Sequence, residues 1–155
     1  MGSTKIGWHV NAPRAVVYRL LLDPRAVAIW QVPTGMTSRV HEFDAREGGA
    51  FRISLTYDEP TEAGKTSAQT DTFHGRFVTL VPDEQVVQMV EFETDDPAVR
   101  GEMTITYRLT EADGGTDIMA MHDGLPGGVP LDDNELGWRI SLGKLAALAE
   151  TGEVP

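Results

Sequence analysis

Four histidines, His9, His41, His74 and His122, are the residues best suited to moving a proton or holding a metal. A zinc-type site wants at least three converging ligands. None of the four histidines stands at the i, i+4 spacing of a His-Glu-x-x-His motif from another His, Asp or Glu, so no metal is expected. Cysteine is absent, which removes disulfides, thiolate nucleophiles and cysteine-ligated metals. No Gly-x-Ser-x-Gly elbow, Walker loop or dinucleotide fingerprint occurs. Gly114-Gly115 and Gly127-Gly128 are isolated pairs with no phosphate-cradling helix behind them. The residues therefore support no covalent chemistry and no cofactor. His122 is the histidine to follow, because Asp123 beside it could raise its pKa and place a proton donor or ligand contact at a cavity mouth. Its plainer role, bonding a loop backbone, is the favoured one.

The aromatic and sulfur side chains suggest binding rather than reaction. Trp8 reads as core, whereas Trp30 and Trp138, at the end and near the start of helices, could either fill core volume or stack on a ligand. Tyr107, Phe73, Met89 and Met119 or Met121 carry the same two readings, since methionine adapts to irregular pockets and ordinary cores alike. Arg46, Glu47 and Arg52 sit near a turn and read as solvated ion pairs.

The elements that must position these residues follow from periodicity. Ile6, Trp8 and Val10 alternate in a strand over Ser3–Val10. Asn11 is a favoured N-cap, Pro13 suits a first helical turn, and Val16, Val17, Leu20 and Leu21 recur at three-to-four spacing. A helix is predicted from about Pro13 to Leu22, and Asp23-Pro24 opens a second towards Trp30. Beyond Pro33-Thr34-Gly35 the pattern turns extended, with strands predicted at Thr37–Asp44, Ala50–Tyr57, Ala68–Leu80, Gln85–Glu93, Gly101–Thr110 and Thr116–His122. Phe51, Ile53, Leu55 and Tyr57 share one sheet face, as do Met103, Ile105, Tyr107 and Leu109. A one-sided sheet needs a cover, and Asp132–Glu150 supplies it as a long helix with Trp138, Leu142, Leu145 and Ala149 in one stripe, capped by Asp132 or Asp133. Gly137 and Gly143 in that helix mark close approach to the sheet or a bend. Glu59–Gln69, rich in Thr, Gly and Ser, reads as a mobile hairpin tip.

The totals set the class. Hydrophobic residues at 41% and charged residues at 24% are a globular balance, and 155 residues are the size of one domain, predicted to span 1–155. Carboxylates outnumber basic residues 24 to 13, so the summed field is expected to repel nucleic acid and anionic membranes. Its apolar runs fall far short of the roughly 20 residues of a membrane span. The N-terminus lacks the layout of a secretory signal, and a cytoplasmic location is expected. Monomer and homodimer both remain open.

A run of motifs then resembles the Hsp90-ATPase-activator-like (AHSA1) family of the SRPBCC, or Bet v 1/START-like, superfamily. It includes Asn11-Ala12-Pro13, Val17-Tyr18, Asp23-Pro24 and Trp30. The most specific stretch is Phe43-Asp44-Ala45-Arg46-Glu47-Gly48-Gly49-Ala50-Phe51-Arg52. Gly75-Arg76-Phe77, Val81-Pro82-Asp83-Glu84, Gly115-Thr116, His122-Asp123-Gly124-Leu125 and Gly137-Trp138 continue it. The resemblance implies an α+β helix-grip fold, in which a curved antiparallel sheet wraps a long C-terminal helix and two short helices follow strand one. It also implies a small hydrophobic molecule bound between helix and sheet, with Trp30, Phe51, Ile53, Phe73, Met89, Tyr107, His122, Trp138 and Leu142 as cavity candidates. An Hsp90-type chaperone as partner, or an aromatase or cyclase of polyketide type using His122 or Tyr107 as acid or base, are the alternatives.

Overall fold

The computed structural model describes residues 2–58 and 70–151. The strand β1 (Gly2–Val10) leads into two short helices, α1 (Arg14–Leu21) and α2 (Pro24–Trp30). Six strands follow, β2 (Met36–Phe43), β3 (Ala50–Tyr57), β4 (Thr70–Val81), β5 (Gln85–Phe92), β6 (Met103–Ala112) and β7 (Gly115–Leu125), and α3 (Leu131–Thr151) ends the described chain. All pairings are antiparallel, and the sheet order is β1-β7-β6-β5-β4-β3-β2, so β1 and β2 form its edges. The connection through α1 and α2 therefore spans the sheet from one edge to the other. Register shifts at Val40/Glu42 and Phe77/Thr79 are bulges, which sharpen the bend of a sheet that curves around α3. This is the helix-grip arrangement that the family resemblance implied.

Local chemistry explains most boundaries. Asp23 caps α2 as expected, its carboxylate accepting the Arg25 N–H at 2.9 Å with Pro24 in the first turn. Asn11 does not cap α1. Pro13 holds that position in an extended conformation, its carbonyl accepting from Val16 and Val17, while the Asn11 backbone N–H donates to the Glu150 carboxylate at 3.0 Å. The helix α3 begins at Leu131, so Asp132 and Asp133 lie within its first turn and complement the dipole rather than capping from outside. The strand β7 runs past His122 to Leu125. The predicted hairpin tip, Glu59–Gln69, lies outside the described residues.

The core sits between the concave sheet face and the three helices. On α3 the stripe Trp138, Leu142, Leu145 and Ala149 is buried, as its spacing required. Trp30 fastens α2 to α1 by donating its indole N–H to the Leu20 carbonyl at 3.0 Å. Phe43, Phe51 and Phe77 cluster with ring centroids 5.4 to 6.5 Å apart under β2 to β4. Gly49 is obligatory in the β2–β3 turn, since a Cβ there would overlap the Asp44 carbonyl. Gly143 lies in ordinary contact with Trp8, whereas Gly137 faces open space.

Candidate functional site

One end of the concave face is not filled. Alternation along each strand puts Leu55 and Tyr57 of β3, Asp71 and Phe73 of β4, Val90 and Phe92 of β5, and Met103 and Ile105 of β6 on the same side. With Asn134, Gly137, Trp138 and Ser141 of α3, these residues enclose a partly open cleft of about 370 Å³. That volume is near the lower end of the roughly 300–1,000 Å³ typical of small-molecule sites. Gln31, Thr34 and Met36, from the α2–β2 connection and the start of β2, complete the wall.

Of the nine sequence candidates, Phe73, His122 and Trp138 lie in this wall. Phe51, Ile53, Trp30, Tyr107 and Leu142 stand on the same side of the sheet or helix but are packed into the core, with Trp30 and Tyr107 only 1% exposed. The strands of Phe51, Ile53 and Tyr107 carry them into the filled part of the concave face, while Leu55 and Ile105 on the same strands line the cleft. Trp30, Tyr107 and Trp138 meet edge-on, with centroids 6.1 and 5.7 Å apart, and of this aromatic row Trp138 lines the cleft. Met89 belongs to the opposite face. Its neighbours Val86, Gln88 and Val90 turn inward, and Met89 lies with His74, Arg76 and Glu102 on the outer surface. Met119 and Met121 are half-buried on the alternate face of β7, away from the wall.

His122, a polar group of the wall, is only 8% exposed. The Trp138 indole N–H donates to its Nδ1 at 3.2 Å, and the Asn134 side-chain amide reaches the same nitrogen at 3.3 Å. An indole N–H can only donate, so Nδ1 is the acceptor and Nε2 carries the proton, 3.2 Å from the Met103 sulfur. Asn134 in turn accepts from the Thr4 hydroxyl at 2.5 Å, tying β1, β7 and α3 together. Burial pushes the His122 pKa down to about 4. The expected upward push from Asp123 exists but is the smaller effect, because that exposed carboxylate lies on the other face of β7. His122 is therefore neutral at pH 7 with its lone pair engaged. It is built to hold a geometry and to present an N–H, not to take a proton. Burial likewise drives the Tyr107 phenol upward, so it stays protonated, accepting from the Gln31 amide at 3.5 Å.

Asn134 was missed by residue type alone, although its place one turn before Trp138 was a usable signal. Asp71, 2% exposed, was missed because a carboxylate in a strand ordinarily faces solvent. Among the described residues no cluster of three or more His, Asp or Glu side chains could hold a metal ion. No helix among them is long and apolar enough to cross a membrane.

Similarity to known proteins matches this architecture. A crystal structure of a Chromobacterium violaceum protein is 35% identical, superposes with a TM-score of 0.85, and is covered over 96% of both chains. A Rhodobacter sphaeroides protein shares the fold at 18% identity, with a TM-score of 0.80 over 97% of this chain and 93% of its own. An Arthrobacter aurescens protein does so at 15% identity, with a TM-score of 0.80 over 96% and 86%. No curated protein matches the chain. The pattern of the family described as activator of Hsp90 ATPase homolog 1-like protein matches residues 11–150, and to that family the chain belongs.

Proposed function

We propose that this protein binds a small, mainly apolar molecule in the cleft between the sheet and α3. The observation that carries the reading is the unfilled end of the concave face, about 370 Å³ walled by Phe73, Phe92, Ile105, Met103 and Trp138. A close-packed interior ordinarily leaves few voids larger than a water molecule. This one is large, apolar on its sheet side and supplied with a few fixed polar groups, which is the make-up of a ligand site. Native mass spectrometry of the freshly purified protein, followed by denaturing extraction, tests it. An apolar passenger is expected with the native chain and not with Gly137→Leu, whose side chain grows into the open space. A folded native chain that carries no passenger and takes up no added apolar probe refutes the reading.

A second reading, contact with an Hsp90-type chaperone, draws on the family description and on the net charge of -11, which suits docking on a basic surface. Stimulation of the chaperone's ATPase that fades with added salt is its expected signature, and no stimulation at low salt refutes it.

A further inference from the structure

We propose that the ligand of the cleft is an apolar molecule carrying a carbonyl oxygen, and that the His122 Nε2–H is the donor that holds this oxygen. The inference rests on the ligand-binding reading above and adds the chemical class. His122, Trp138, Asn134 and Met103 all stand in the cleft wall, so the hydrogen-bonded group that links β6 and β7 to α3 lies at the site itself. Its orientation is set by the groups around it. The Thr4 hydroxyl donates to Asn134 Oδ1, which turns the Asn134 amide nitrogen towards His122. That nitrogen and the Trp138 indole N–H converge on Nδ1 at 3.3 and 3.2 Å. The Nδ1 lone pair is thus engaged, and the ring proton is held on Nε2.

The Nε2–H is left with a poor acceptor. Its one hydrogen-bond partner among the described residues is the Met103 thioether at 3.2 Å, and a thioether accepts weakly. A buried N–H with so weak a partner keeps much of its desolvation cost, which a stronger acceptor recovers. A carbonyl oxygen is such an acceptor and asks for no donor beyond this one. Leu55, Phe73, Phe92 and Ile105, on the sheet side of the same cleft, suit the apolar body of the molecule. Burial keeps the ring neutral at pH 7, so the donor persists unchanged through the neutral range.

Isothermal titration of the intact chain at pH 7 with acetylnaphthalene, and with isopropenylnaphthalene in which a methylene group replaces the oxygen, tests the inference. His122→Asn keeps an acceptor for Trp138 but stops short of the Nε2 position. It is expected to weaken the ketone about fivefold more than the alkene. Met103→Leu, a swap that conserves volume, removes the competing thioether and is expected to raise the preference for the ketone. The infrared carbonyl stretch of the ketone bound to the native chain is expected below its frequency in hexane, and to move back up in His122→Asn. A stretch that matches the hexane value, or a ketone-to-alkene affinity ratio that neither variant moves, overturns the carbonyl assignment and leaves the ligand-binding reading in place. A folded native chain that binds neither compound overturns both.

Discussion

The Trp138 indole N–H points at His122 Nδ1 from 3.2 Å, and the two rings stand edge to face at 86° with centroids 5.9 Å apart. The contact joins α3 to β7 at the inner side of the cleft and decides three things together: the histidine tautomer, the seating of the helix, and the shape of the space left open. Trp138→Phe keeps the ring and removes the donor. Because a buried acceptor loses its stronger partner, unfolding stability is expected to fall by about 1–3 kcal/mol, read from urea denaturation.

The titration of His122 predicts an acid-sensitive fold. An unfolded chain takes up this proton near 6.5, whereas the folded protein resists until about 4. The folded pKa is the lower one, so the contribution is fully present above 6.5 and is lost as pH falls from 6.5 towards 4. Over that window the loss approaches about 3 kcal/mol. In His122→Asn an acceptor can remain for Trp138 but the titration is gone. The stability gap between native protein and variant should therefore close as pH is lowered from 7.5 to 4. A gap that stays constant would show that His122 is not the titrating group.

Gly137→Ala should separate stability from binding. A Cβ at this helical position meets nothing within 4 Å, so the variant gains helix propensity without a clash. A stabilisation of about 0.5–1 kcal/mol is expected, together with weaker uptake of an apolar probe as the added methyl enters the cleft. Thermal unfolding and probe titration on the same sample check both halves.

The outer face offers a contrast. Arg52 meets Glu93 through two hydrogen bonds of 2.8 and 2.9 Å, and His74 reaches Glu93 and Glu91 at 3.0 Å. The Arg52 hydrogen bonds hold the Glu93 pKa below its ordinary value. The pair is partly solvated, so Glu93→Gln is expected to cost no more than about 1 kcal/mol, and less as salt is added. A loss of several kcal/mol in denaturation would show the network to be structural.

The fold was readable in the sequence because it is written in local periods. Strands announce themselves by alternation, α2 by Asp23-Pro24, and α3 by a stripe that has to be buried. Face assignments held for Phe51, Ile53 and Tyr107 for the same reason: a period of two allows only two sides. What the period cannot state is position along the strand once the sheet is assembled. Phe51 and Leu55 look alike in a pattern, yet the first packs among Phe43, Phe73 and Phe77 and the second lies in the wall of a cleft. Met89 was chosen by type against its own alternation, and the alternation was the better guide. For His122, the neighbour in sequence suggested a raised pKa, while residues from β6 and α3 buried the ring and lowered it. The chain by itself determined the elements, their faces and the family. The tertiary structure alone decided which end of the concave face stays open and which polar groups look into it, because both depend on groups far apart in sequence and brought together only by packing.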